Sequence, residues 1–170
     1  MIKHTFSGSR GRGFSLIEFV IVIIVIGILS AVVITNISAK AQHSVTAQAD
    51  QFRRNLSHIQ LLAISQGARL KLTVAADGAS YTVSTCATST CSSSSMLVDP
   101  ATGLNFSVAL TDGVTLSPAN DTLDFDSLGR PQSGGSLIAT IPARSYTLIG
   151  SGRSVSVTVL PITGFAQTIY

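Results

Sequence analysis

The sequence predicts an α+β protein in which a long N-terminal helix packs on a C-terminal antiparallel β-rich domain. Three observations predict it: an apolar run fills residues 14–34, an apolar stripe at steps of three or four continues to residue 63, and beyond Gly67 the apolar period becomes two. The chain divides accordingly into a basic leader at residues 1–13, a helix over 14–66 and a β-rich domain over 67–170.

Residues 14–34 are twenty-one positions with no Lys, Arg, Asp, Asn, Gln or Pro, and Glu18 is their one charge. As a helix they would be about 30 Å long, the thickness of a bilayer's hydrocarbon core. Lys3, Arg10 and Arg12 precede the run and no basic residue follows it before Lys40, so the positive-inside bias keeps the N-terminus cytoplasmic and exports residues 35–170. The run is longer than a cleaved secretory core and ends in no small-x-small site. A plain signal anchor leaves Glu18 unexplained, since a carboxylate among lipid tails costs roughly 2.5 kcal/mol or more.

The stripe that follows is Ile37, Ala41, Val45, Ala49, Phe52, Leu56, Ile59 and Ala63, with Lys40, Gln42, Asp50, Arg53 and Arg54 between them. This is one amphipathic face, on which a globular domain should pack. No Pro interrupts residues 14–66, and Gly67 is placed to stop the helix. Within it, Gly27, Thr35 and Asn36 are the positions of weakest helix propensity.

"RLKLTVA" then alternates Leu70, Leu72 and Val74 against Arg69, Lys71 and Thr73, and "YTVST" follows Asp77-Gly78, which reads as a hairpin. Further strand candidates are residues 104–110, 113–117, 122–126, 136–141, 145–150 and 154–160, with Gly, Pro, Asn and Asp between them as turns.

Cys86 and Cys91 flank "ATST". In an exported domain so close a pair reads as a disulfide, worth only about 2 kcal/mol by loop entropy and therefore a local pin. Two free thiols or a zinc site are the alternatives, though no second Cys or His pair lies near in sequence. Asp121, Asp124 and Asp126 are candidate calcium ligands, read against the plainer expectation of acidic residues at a solvated strand entrance.

Nothing points to catalysis or to a cofactor. His43 and His58 are roughly 22 Å apart along a helix, and the sequence has no nucleophile elbow, phosphate loop or HExxH motif. The formal charge of +3 comes from the leader, because losing Lys3, Arg10 and Arg12 takes eleven basic residues to eight against eight acids. The sequence therefore gives no sign of a nucleic-acid surface, and the C-terminal "FAQTIY" has no Lys or Arg.

A short basic leader ending in Gly13, then "FSLIE" and about twenty apolar residues, resembles the signal of type IV prepilins and type II secretion pseudopilins. The resemblance implies cleavage by a prepilin peptidase between Gly13 and Phe14, and methylation of the new Phe14 amine. It also implies a bacterial inner-membrane intermediate, an inner-membrane assembly platform, and packing with other pilin or pseudopilin subunits in a filament. Glu18 of one subunit would then neutralise the Phe14 amine of its neighbour. Opposite charges about 4 Å apart at an effective dielectric near 20 attract by about 4 kcal/mol, enough to offset burial of one carboxylate.

"FDSLGRP" (125–131) and "VSVTVLPITGF" (155–165) are similar to two recurring segments of the H-type pseudopilin and FimT-type minor pilin group. Within it the chain most resembles the minor pilins of mannose-sensitive haemagglutinin (MSHA) pili. The implied function is a minor pilin that primes or tips such a pilus, serving adhesion or motility, with an H-type pseudopilin of type II secretion as the alternative and DNA uptake as a weaker one. Ordinary turn chemistry accounts for Gly129, Arg130, Pro131, Thr163 and Gly164 without any special role.

Overall fold

The structure is a computed structural model that describes residues 15–141 and 144–170, with side chains for all of these except 31–42. It resolves into two units, residues 1–37 and 38–170.

Helix α1 spans Leu16–Gln66. Its start and stop are both written locally. The Ser15 carbonyl accepts the first intrahelical bonds, from Glu18 N at 3.0 Å and Phe19 N at 3.2 Å. At the other end Gly67 adopts φ +59°, Ala68 N donates to Ala63 O and Gly67 N donates to Ile64 O. That pair of bonds is a Schellman cap, which needs a residue tolerant of the left-handed region at Gly67.

From Leu16 to Leu29 the helix carries apolar residues on every side. Among the described residues all the large side chains from Leu16 to Leu29 are exposed, Leu16 by 82%. A helix with that surface is stable only where a membrane or neighbouring helices surround it. Among the described residues no helix is long and apolar enough to cross a membrane. Of the expected span 14–34, side chains are described for residues 15–30, and the remainder lies outside them.

The second unit holds the amphipathic half of α1 and eleven strands: β1 (Leu70–Val74), β2 (Ser80–Cys86), β3 (Ser94–Met96), β4 (Ser107–Ala109), β5 (Thr115–Ser117), β6 (Thr122–Phe125), β7 (Pro131–Ser133), β8 (Ser136–Leu137), β9 (Arg144–Gly150), β10 (Arg153–Val159) and β11 (Ala166–Ile169). All pairings are antiparallel. One sheet runs β3-β2-β1-β6-β7-β8, with β4 sharing the outer edge of β2. The other runs β11-β10-β9-β5. Asp77 and Gly78 turn β1 into β2, as the dipeptide predicts, with Gly78 at φ +68°. The two sheets meet where Leu116 N of β5 donates to Gly78 O at 2.8 Å.

The stripe from Val45 to Ala63 is buried along its length and shares one core with Leu70, Leu72 and Val74 of β1, Leu123 and Phe125 of β6, and Tyr146 and Leu148 of β9. Phe52 stands at its centre. Its ring meets Tyr81 of β2 edge-on at 5.0 Å and Tyr146 of β9 edge-on at 5.4 Å, so one helix side chain contacts both sheets. Each such pair adds about 0.5–1.5 kcal/mol beyond area burial. The hydroxyls are satisfied at the edges: Asn55 Nδ2 donates to Tyr81 Oη at 2.7 Å and Tyr146 Oη donates to Asp121 at 2.9 Å. Burial pushes the Tyr81 hydroxyl up to about 12 and that of Tyr146 well above its ordinary value.

Several strand expectations need revision. Residues 136–141 form only the two-residue β8: Ile138 N still donates to Pro131 O across the ladder, but Pro131 has no N–H to return a bond, and the Ile138 carbonyl accepts from Ile162 N instead. Strands β3, β7 and β11 are additional.

Phe52→Ala removes both aromatic contacts and opens a cavity between helix and sheets. It should destabilise the chain by about 3–5 kcal/mol, read as a lowered urea midpoint of the detergent-solubilised protein by circular dichroism.

Candidate functional site

Two regions carry the residues that the sequence singles out. The first is the start of α1. Leu16, Ile17 and Glu18 form its first turn, where an acidic side chain complements the positive end of the helix dipole. Ser15 and Glu18 also stand at the spacing of a capping box, a local signal for a helix start in "FSLIE". Glu18 is exposed among apolar neighbours. Gly13 and Phe14, the expected scissile pair, lie outside the described residues.

The second region lies at the C-terminal end of α1, where Gln60 joins two loops remote in sequence. Its Nε2 donates to Gly129 O at 2.8 Å and to Thr163 O at 2.6 Å. Gly129 and Gly164 both adopt positive φ, at +75° and +68°. A Cβ on Gly164 would come within 2.6 Å of Gly129 O, and one on Gly129 within 2.7 Å of the Ile64 side chain. "FDSLGRP" and "LPITGF" therefore converge on one helix amide. The turn chemistry expected for both segments is present, and Gln60 is the partner that sequence reasoning missed, since a polar residue beside the apolar stripe reads as solvent-facing.

Asp126 organises the first of these loops. Its carboxylate accepts Leu128 N at 3.0 Å, Arg130 N at 2.9 Å, Arg130 Nε at 2.8 Å and Gln132 Nε2 at 3.0 Å, and it pairs with Arg130 Nη2 at 2.8 Å. Burial alone raises its pKa, but the hydrogen bonds from Arg130 and Leu128 and the Arg130 charge outweigh that and hold it below its ordinary value.

The three aspartates proposed as calcium ligands have different partners. Asp121 pairs with Arg144 Nη2 at 3.1 Å and accepts from Tyr146. Asp124 of β6 and Asp126 just beyond its end are 3% and 7% exposed, so the expected solvated strand entrance is corrected to a buried polar layer. Burial raises the Asp124 pKa against the pull of Lys71 and Arg69. Among the described residues no three His, Cys, Asp or Glu side chains are placed to hold a metal ion.

Cys86 and Cys91 are joined, with Cα atoms 4.8 Å apart. The loop they close leaves the end of β2, and its Cys91 carbonyl accepts a hydrogen bond from Nζ of Lys71, the residue opposite Asp124 in the β1–β6 ladder, at 3.1 Å.

A cleft of about 300 Å³ also opens between α1 and the β3–β4 connection, lined by Gln51, Asn55, Asp99, Leu104 and Phe106 among others. At its margin His58 Nε2 lies 3.4 Å from Asp99, and its ring stacks on Phe106.

Gly164→Ala forces a Cβ against a carbonyl as well as an unfavourable φ, whereas Gly152→Ala, with open space around it, meets the φ strain alone. Gly164→Ala should cost more than Gly152→Ala by at least about 1 kcal/mol in urea denaturation. The aspartates should also show opposite pH signatures. Asp126, with its depressed folded pKa, contributes stability that is complete above the unfolded value and lost as pH falls through the folded one. Asp126→Asn should therefore lose ground to the wild type as pH rises toward about 4. Asp124, with its raised folded pKa, contributes stability that is lost as pH rises above about 4, so Asp124→Asn should gain ground there. Denaturant midpoints across an acid-to-neutral series check both signs.

Residues 8–34 match the family model for the prokaryotic N-terminal methylation motif. No curated protein matches the chain. The fold is similar to two structures of the minor pseudopilin EpsH from the type II secretion system of Vibrio cholerae. The first has a TM-score of 0.54 at 15% identity over 74% of this chain and 96% of that one. The second has 0.53 at 14% over 75% and 97%. A structure of the type IV minor pilin FimU of Pseudomonas aeruginosa matches at a TM-score of 0.47 and 10% identity over 76% and 90%. Residues 8–34 thus carry the methylation motif, and the fold that follows them is pseudopilin-like.

Proposed function

We propose that the chain is a minor subunit of a type IV pilin-like filament, a structural protein and not an enzyme. The observation that carries this reading is the junction of the methylation motif with a helix apolar on every side and a pseudopilin-like domain on its second half. The bulk of an exposed apolar surface at residues 16–29 calls for lipid before assembly and for neighbouring helices after it. In this reading a prepilin peptidase cuts between Gly13 and Phe14, the Phe14 amine is methylated, the helix anchors the domain outside the inner membrane, and an assembly platform passes the subunit to the filament.

Glu18 then has a definite task. Alone in the apolar segment its charge is costly; beside a neighbour's Phe14 amine it becomes favourable, so subunits register at one axial position. The finer assignment we favour is a minor pilin that primes or tips an MSHA-type pilus. Likeness to EpsH favours a second reading, an H-type pseudopilin of type II secretion. Deletion of the gene, scored in parallel for surface pili and for secreted enzymes, separates the two.

Gly13→Val should leave an unprocessed precursor in the membrane fraction, seen by mass spectrometry as a retained leader. Glu18→Val should be cleaved and inserted normally but fall at least about tenfold in incorporation into sheared filaments, because the neighbour's amine loses its counter-charge at a cost of several kcal/mol. Normal processing with full incorporation would show that the intersubunit pair does not operate in this subunit.

A further inference from the structure

The outer face of the seven-stranded sheet is charged, yet it is covered. On β1, β6 and β7 the core side belongs to Leu70, Leu72, Leu123, Phe125 and Pro131, so Lys71, Asp124 and Gln132 project the other way, with Arg69 just before β1 and Asp126 just after β6. Lys71 stands opposite Asp124 in the ladder, and Asp124 opposite Gln132. Side chains of this kind on an outer sheet face ordinarily stand in water. Here Gln132 is 6% exposed, and Gln132 Oε1 and Arg69 Nη1 are buried without a hydrogen-bond partner.

The loop of residues 87–93 reaches onto this face at two places. Cys91, at its far end, is 4% exposed and held at φ +56°. Lys71 Nζ donates to its carbonyl at 3.1 Å. Across the face, a Cβ on Gly135 would come within 3.1 Å of Ser89 O, so the loop also abuts the β7–β8 turn. The other hydrogen bonds of the loop are Ala87 N to Ser93 O, which extends the β2–β3 ladder by one rung, and the internal bonds Cys91 N to Thr88 O, Ser92 N to Thr88 Oγ1 and between the Thr88 and Ser92 hydroxyls. The two ends of the loop are held by the β2–β3 ladder, where Cys86 stands opposite Ser94; between those ends, one lysine hydrogen bond, the close approach of Ser89 and Thr90 to Gly135 and the covalent link from Cys91 to Cys86 hold it to the sheet.

We propose that the Cys86–Cys91 disulfide is a redox clasp: oxidised, it holds residues 87–93 as a lid over the charged face formed by Arg69, Lys71, Asp124 and Gln132, and reduced by a dithiol it lets the lid lift and opens that face to solvent. A thiolate of the dithiol attacks one cysteine sulfur, breaks the S–S bond and forms a mixed disulfide, and the second thiolate closes the reductant on itself. Two electrons and two protons leave the dithiol, which becomes its cyclic disulfide, and appear on the protein as the Cys86 and Cys91 thiols. The buried side chains are polar, so opening the lid hydrates them and exposes no apolar core.

The test uses the full chain in detergent micelles, oxidised or treated with dithiothreitol, with Cys86→Ser as a clasp-free form that needs no reductant. Loop entropy for so short a ring predicts that opening of residues 87–93, read by amide hydrogen exchange, becomes roughly 30-fold more frequent on reduction. Acylation of Lys71, measured against Lys40 in the same digest, should rise with it, while circular dichroism stays unchanged. Cys86→Ser should match the reduced protein. Unchanged exchange and Lys71 reactivity after complete reduction would overturn the proposal, since the lid would then be held by the sheet itself. Loss of the β signal on reduction would overturn it too, because the bond would then be holding the fold.

Discussion

The second unit depends on one ring. Phe52 is the only helix residue that meets an aromatic side chain of each sheet among the described contacts, and the polar contacts arranged around it fix how α1 sits. Toward the N-terminal side, Gln48 exchanges two hydrogen bonds with the backbone of Thr111, and Ser44 reaches Asp112. Toward the C-terminal side, Gln60 holds Gly129 and Thr163. Asp50 accepts from Thr168 and Tyr170 and brings β11 to the same helix. Apolar burial supplies the attraction, which has no preferred direction. The amide contacts supply direction, since a helix rotated by one residue would carry Gln48 and Gln60 about 100° away from their carbonyl partners.

The glycines on the sheet side answer the same constraint. At Gly129 and Gly164 the backbone must come close enough for one glutamine to reach both loops, and each position is also left-handed. The likeness of "FDSLGRP" and "LPITGF" to recurring family segments thus acquires a physical meaning in this chain. Asp126 shapes the first segment through its four hydrogen bonds, Gly129 brings it to the helix, and Gly164 lets the second segment lie against it.

Much of this was legible in the sequence wherever the cause is local. The stripe from Val45 to Ala63 is periodic because only one side of the helix is covered, Gly67 stops the helix through its own φ, and Asp77-Gly78 turns a hairpin whose strands alternate. Strands β3, β7 and β11 escaped because each owes its existence to a partner: Ser94–Met96 is an exposed serine-rich edge, Pro131–Ser133 opens with a proline, and Ala166–Ile169 has no clean alternation. Gln60 and Asp124 misled for a related reason. A polar side chain next to an apolar stripe, or alternating along a strand, reads as wet unless its tertiary neighbours are known, and the partners of Gln60 lie sixty or more residues away in sequence. Glu18 stood out because a charge in an otherwise apolar run has no local justification, whereas the covering of Asp124 leaves no mark within its own strand.

The run of contacts along the second half of α1 has a mechanical consequence. Val45, Ala49, Phe52, Leu56, Ile59 and Ala63 face the sheets in a row, with the glutamine clasps set between them. A pull along the helix axis would load all of them in parallel, so the bonds share the tension and must fail together. A pull at right angles, applied at one end, would peel them in turn. The same contacts therefore make the domain stiff to axial traction and compliant to peeling, an anisotropy fixed by the direction in which the helix crosses its sheets and independent of how stable the fold is at rest.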